Sequence, residues 1–132
     1  MIIKVVAALI IKDGKILLAK RSTGDKNVLG KWEFPGGKVN SNETEFEAIE
    51  REIKEELEIK VKARRFITNN VCNYPNKIVD LRFYECDYVE GSIKLHDHSE
   101  YLWIDKNKLL NYDLAKADIP LAKYIMNKKY QY

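Results

Sequence analysis

The chain has little of what marks several protein classes. Its two cysteines, Cys72 and Cys86, fit no metal-ligand spacing and read as reduced structural thiols of a cytosolic protein. No apolar run approaches the roughly 20 residues of a membrane span. Met1-Ile2-Ile3-Lys4 leads straight into a strand-like stretch without a signal-peptide pattern. Charge of one sign is scarce too: 23 Lys and Arg against 20 Asp and Glu leave a net +3. The basic residues are scattered, with no stripe dense enough to predict stable nucleic-acid binding. Repeats, linkers and low-complexity tracts are also missing, so the expectation is one domain over residues 1–132.

What is present is an ordered alternation of strand and helix signals. Ile2 to Ile11 is rich in β-branched and aliphatic residues and predicts a buried strand. Asp13-Gly14 predicts a hairpin turn, with Lys15 to Lys20 returning as a second strand. Arg21 to Lys31 is polar and contains glycine, a loop able to sit over a site. Trp32-Glu33-Phe34-Pro35-Gly36-Gly37 predicts a short strand broken by proline and two glycines, where backbone groups can approach a ligand. Further on, Lys60 to Cys72 and Lys77 to Tyr88 predict strands, the second turning Val79, Leu81 and Phe83 inward. The turns fall at Tyr74-Pro75-Asn76 and Glu90-Gly91, and Tyr101 to Ile104 is a last strand. Asp105 is expected to cap a short helical segment, and Asp118-Ile119-Pro120 to open a C-terminal helix through about Lys128. Mixed strands with two substantial helices predict an α/β sandwich.

The most informative stretch runs from Gly37 to Ile59. Thr44 followed by Glu47 is a capping box, which starts a helix at Glu45. Phe46, Ile49, Ile53 and Leu57 recur at intervals of three and four and make one apolar face. Glu52, Glu55 and Glu56 then share an edge about 100° wide beside that face. Like charges so spaced cost an isolated helix a few tenths of a kcal/mol per pair. A bound divalent cation would relieve that repulsion, since clustered carboxylates are hard oxygen ligands. A solvated acidic face, supported by Arg51 and Lys54, is the other reading of the helix taken alone.

This stretch resembles the Nudix box, G-x5-E-x7-R-E-U-x-E-E-x-G-U with U a bulky aliphatic. Gly37, Glu43, Arg51, Glu52, Ile53, Glu55, Glu56 and Ile59 match in register. Glu58 stands where the box has glycine, and a side chain there takes the left-handed helix exit only at a cost of roughly 1 kcal/mol. The preceding Trp-Glu-Phe-Pro-Gly-Gly-Lys looks like the MutT branch, which hydrolyses oxidised nucleoside triphosphates. Leu114 to Leu121 looks closer to the bacterial CTP pyrophosphohydrolase branch.

The resemblance implies a Nudix-type α/β/α sandwich with a mixed sheet, and a house-cleaning pyrophosphohydrolase dependent on Mg²⁺, with Mn²⁺ as a possible substitute. The implied substrate is a small nucleotide, and the implied assembly a monomer or homodimer. Metal ligands are then expected among Glu52, Glu55, Glu56 and the carbonyl of Gly36. Which carboxylate is ligand and which is base varies among Nudix enzymes, so the trio is assigned jointly. Asp97, between His96 and His98, aligns with an acidic loop residue that reaches the metal site. The histidines themselves are expected as loop residues or substrate neighbours. Lys38 and Arg21 are candidate phosphate contacts, and Arg51 is expected to orient a glutamate. Trp32 to Phe34, with Val5 and Val79, is expected to sandwich a base.

Asp118 is the candidate base reader, with helix capping as its other role. As an ionised acceptor it favours the exocyclic amine of cytosine, with oxidised guanine second. ADP-ribose, a dinucleoside polyphosphate, or a binding module without catalysis remain alternatives; the three intact glutamates argue against the last.

Overall fold

The computed structural model describes residues 1–24, 26–127, 130 and 132. Among these residues seven strands form one mixed sheet around β1 (Ile2–Lys12). β1 turns into β2 (Lys15–Arg21) through Asp13 and Gly14, both at positive φ (52° and 76°). Two such residues make the primed turn that matches the natural twist of a hairpin. β2 pairs with β3 (Trp32–Glu33) on the edge it shares with β1 and with β7 (His98–Ile104) on the other, both antiparallel. The half of β1 nearer its start pairs with β4 (Gly36–Lys38), Val6 opposite Gly37. On the remaining side β1 runs parallel to β6 (Lys77–Glu90), and β5 (Lys60–Tyr74) closes the edge.

The continuous apolar run of β1 follows from burial on both faces. Val6, Ala8 and Ile10 face α1 (Glu45–Leu57), packing with Ile49, Ile53 and Leu57. Ala7 and Leu9 face the other way, toward Phe83, Leu121 and Ile125, the last two from α2 (Ile119–Met126). Helix, sheet and helix are thus layered as the α/β sandwich predicted from sequence. Among the described residues no helix is long and apolar enough to cross a membrane.

Several expectations need correction. Phe46 is 41% exposed; it lies off the buried stripe and packs edge-on against Tyr84, with ring centroids 5.4 Å apart. Ala48 takes its place on the inner face. The Trp32–Gly37 stretch makes two strands, because Pro35 offers no N–H and its carbonyl instead accepts the Ala8 N–H at 2.8 Å. β5 and β6 run on past Cys72 and Tyr88, since their pairing continues to Tyr74 and Lys77 at one end and to Lys60 and Glu90 at the other. Val79 is only half-buried, while Leu81 and Phe83 are in the core. Asp105 precedes a short 3₁₀ turn (Lys106–Asn111) but its side chain makes no capping bond; it faces Lys15 at 3.9 Å. The expected end of the last helix at Lys128 lies outside the described residues. Both cysteines are free thiols, Cys72 half-buried and Cys86 buried.

Candidate active site

α1 begins as its sequence requires. Thr44 and Glu47 exchange side-chain and backbone hydrogen bonds in a capping box, and the apolar stripe seats the helix on the sheet. Its acidic edge is thereby turned toward β4. Glu52 lies closest: a Cβ added to Gly37 would stand 2.3 Å from the Glu52 carboxyl. Gly36 is constrained by backbone, since a Cβ there would meet the Val6 carbonyl oxygen at 1.9 Å.

Arg51 ties this edge together. Its guanidinium donates to Glu43 at 2.6 and 2.9 Å, to Glu52 at 2.8 Å, to Glu55 at 3.1 Å and to the Lys38 carbonyl at 3.0 Å. Such fork geometry suits arginine's planar donors. The Arg51 hydrogen bond, helped by the Asn40 N–H, lowers the Glu43 carboxyl to about 2. Glu43 and Arg51 thus stay ionised together, and Glu52 and Glu55 are held from one side.

Glu56 is different. Its side chain is 8% exposed, and its Oε1 is buried without a hydrogen-bond partner among the described residues. Burial, together with the negative charges of Glu33, Glu52 and Asp97, pushes its carboxyl up to about 8. Arg21, with Nη1 3.9 Å from Oε2, opposes the shift. A buried carboxylate with an empty acceptor and three acidic neighbours is a site short of positive charge. A hard divalent cation with oxygen preference would complete it.

Glu33, not singled out in the sequence, and His98, expected as a loop residue or substrate neighbour, join this cluster. Glu33 Oε2 lies 2.9 Å from His98 Nε2 and 3.3 Å from Arg21 Nη1. One ligand atom each of Glu33, Glu56 and His98 falls within 4.8 Å of the others. His98 is 4% exposed and opens β7, which corrects its assignment to a loop. The bulge between Lys20 and Arg21 brings it opposite Arg21 and extends the pairing beyond the predicted Tyr101. No local signal in the sequence joins Glu33 and His98: β3 and β7 flank β2 on opposite edges and bring the two together across it. Asp97 is exposed beside them, and His96 bonds to Glu58 at 2.6 Å.

A cavity of about 330 Å³ runs from Gly36, Gly37 and Lys38 past Val5, Val79, Arg21 and Phe34 to Asp118. Arg21, expected at a phosphate, is engaged with the Glu33 and Glu56 carboxylates. Phe34 turns its ring into the core against Phe83, at 4.7 Å between centroids, and presents its backbone to Asp118. Trp32 is not on the cavity wall; it packs edge-on against Tyr112. The expected aromatic sandwich is therefore reduced to Phe34 and the two valines.

Asp118 precedes α2 but gives that helix no side-chain cap. Its Oδ2 instead accepts the Phe34 N–H at 2.9 Å. It is 6% exposed, and burial, reinforced by Glu33, raises its carboxyl well above the usual range. This corrects the picture of a simply ionised acceptor: the environment favours the neutral acid, which can also donate.

A mixed sheet between helices, with a glycine-bearing strand feeding an arginine-braced carboxylate helix, defines a Nudix fold and its box. The NUDIX domain family matches residues 1–125, and the chain belongs to that family. It is a Nudix hydrolase. The chain is 37% identical over 124 residues to the CTP pyrophosphohydrolase of Escherichia coli, covering 94% of this chain and 91% of that one. It is 36% identical over 117 residues to the 8-oxo-dGTP diphosphatase of Buchnera aphidicola from Schizaphis graminum, covering 87% and 88%. Among solved structures, the MutT protein of Methanosarcina mazei superposes with a TM-score of 0.85 at 29% identity, covering 98% and 96%.

Proposed function

We propose that this chain is a Mg²⁺-dependent pyrophosphohydrolase that converts nucleoside triphosphates, cytosine nucleotides foremost, to the monophosphate and pyrophosphate. The observation that carries the reading is Glu56, a buried carboxyl with an unpartnered oxygen on the same helix edge as Glu52 and Glu55. Those three, with the Gly36 carbonyl, would hold the metal, and Asp97 would approach from the loop before β7. The bound metal would supply neutralisation of phosphate oxygens and a water of lowered pKa.

The chain's own groups do the rest. Arg51 keeps Glu52 and Glu55 in place without reaching the substrate, because its donors are spent on carboxylates and the Lys38 carbonyl. One glutamate of the trio takes the proton from the attacking water. That water's oxygen bonds to phosphorus as the phosphoanhydride bond breaks, and the departing pyrophosphate carries the released charge. Lys38, exposed beside Gly37 on the cavity wall, is available to the phosphates. Val5 and Val79 flank the base, and Asp118 meets its polar edge.

Support for cytosine comes from the similarity to a CTP pyrophosphohydrolase over 94% of the chain. Oxidised guanine is the second reading, and one observation favours it: a neutral Asp118 can donate to a carbonyl oxygen. A panel of nucleoside triphosphates and oxidised or otherwise modified analogues with Mg²⁺, read by released pyrophosphate, tests both. Monophosphate and pyrophosphate should appear in equal amounts, with cytosine nucleotides leading in kcat/KM. Release of inorganic phosphate and a diphosphate would overturn the reading.

A further inference from the structure

Glu58 ends α1 at φ 58° and ψ 31°, a left-handed backbone that favours glycine over any residue with a Cβ. Its N–H closes on the Lys54 carbonyl at 3.1 Å, so the helix exit keeps its usual form despite the side chain. What the side chain adds is tertiary. Glu58 Oε2 meets His96 Nε2 at 2.6 Å, across 38 residues of sequence. The preceding Leu57 carbonyl accepts the Lys94 N–H at 3.0 Å. Two successive residues at the end of the carboxylate helix therefore hold two alternate residues of the loop before β7.

The same loop is pinned on its far side. The Asp97 carbonyl accepts the Ser22 N–H at 3.0 Å, and the His98 ring is buried against Glu33. Asp97 is the exposed residue between these anchors, and its charge bears on Glu56. Adjacent Cα atoms stand ~3.8 Å apart, so fixing His96 leaves Asp97 a short reach. With glycine at position 58 the loop would keep its backbone bonds and lose the side-chain one. Both partners are about half exposed (51% and 40%), and a surface contact so placed contributes little to stability. Its effect is on position.

We propose that Glu58 and His96 form a latch that sets the reach of Asp97 toward Glu56, making Glu58 a positioning residue in the place where the Nudix box has glycine. The inference rests on the reading that Glu52, Glu55 and Glu56 bind a divalent cation, and adds to it a residue outside the box's ligand set.

The test is Mn²⁺ binding to the full chain, followed by the EPR signal of the free ion, beside thermal unfolding. Glu58→Gly and His96→Ala should each weaken binding several-fold to about tenfold, the lower end for groups that act on ligands from outside. The double variant should bind no more weakly than either single one. In an Asp97→Asn background Glu58→Gly should change nothing further. Glu58→Gln, which still offers an oxygen to the imidazole, should restore most of the affinity. Glu58→Gly should also melt no lower than the parent, because it relieves the left-handed backbone; a weaker site then cannot be blamed on unfolding. Glu56→Gln serves as the reference. If it abolishes binding while Glu58→Gly leaves the affinity unchanged, the latch is wrong and the metal reading stands. If Glu56→Gln binds Mn²⁺ as the parent does, both fall. Losses from Glu58→Gly and Asp97→Asn that simply add would also overturn the latch, because its action would then not pass through Asp97.

Discussion

The Glu52 carboxyl rests on Gly37, so closely that a methyl group there would stand 2.3 Å from its carbon. What would have to move is the end of a flexible side chain, so the fold can absorb the change. Gly37→Ala should therefore melt close to the parent while turnover falls by about 100-fold or more, the scale of a misplaced catalytic group. The neighbouring Gly36→Ala should do the reverse in kind. Its Cβ meets the Val6 carbonyl in the central strand, and a backbone clash in a packed sheet costs roughly 2 kcal/mol or more. Thermal melts and kcat on the two proteins check this; equal melting losses would mean the carboxyl does not rest where the structure has it.

Arg51 reaches four acceptor groups at once, Glu43, Glu52, Glu55 and the Lys38 carbonyl. A lysine keeps the charge but not the fork. Arg51→Lys should cost about 1–2 kcal/mol, less than a fully buried pair because Arg51 is partly exposed. Turnover should fall further than that stability loss explains, since Glu52 and Glu55 lose their orientation. Normal kcat in a folded Arg51→Lys protein would show that the glutamates hold their own positions.

Glu56 links the site to pH. Its carboxyl lies at about 8 against an ordinary 4.5, so between those values the folded state binds the proton more tightly than the unfolded one. This contribution to stability is complete below about pH 4.5 and is lost as pH rises through about 8. Metal-free protein should accordingly lose melting temperature between about pH 5 and pH 8, and Glu56→Gln should remove that part of the loss. Mg²⁺ should raise the melting temperature more at the alkaline end, where the carboxylate is already free of its proton. Glu56→Gln should fold, yet depress turnover by orders of magnitude. A parent and variant with parallel pH profiles would place the proton elsewhere.

The box was legible because its parts are local. Thr44 with Glu47, and Arg51 with Glu55, sit within one or two helical turns, so spacing alone brings them together. Layering was legible too, from a first strand apolar on both faces. Glu33 and His98 were not: they are 65 residues apart and meet only because β2 takes a partner on each of its edges. Phe46 was misjudged for a related reason, since helical periodicity gives a stripe but not where the sheet beneath it ends. Asp105 and Asp118 stand where helix caps stand, yet each side chain has a partner elsewhere. For Asp118 that partner, the Phe34 N–H, lies 84 residues away, beyond any local rule.

That same contact decides what Asp118 can show a base. Oδ2 is committed to the Phe34 N–H, so Oδ1 is the atom left for the cavity. Ionised, Oδ1 accepts from the exocyclic amine of cytosine; protonated, it donates to a carbonyl oxygen such as guanine's. An asparagine loses this freedom. Its single oxygen would be drawn to the Phe34 N–H, leaving the amide NH₂ facing the base as a donor. Asp118→Asn should therefore cost cytosine its acceptor and give oxidised guanine a donor. The ratio of kcat/KM values should move from cytosine toward oxidised guanine by about tenfold or more, the worth of one well-placed hydrogen bond. The melting temperature should hold or rise, because a neutral amide replaces an acid that burial disfavours when ionised. Paired kcat/KM measurements on CTP and an 8-oxo-guanine triphosphate decide the matter. An unchanged ranking would reduce Asp118 to a brace for the Phe34 backbone, and the base would then be read by another residue.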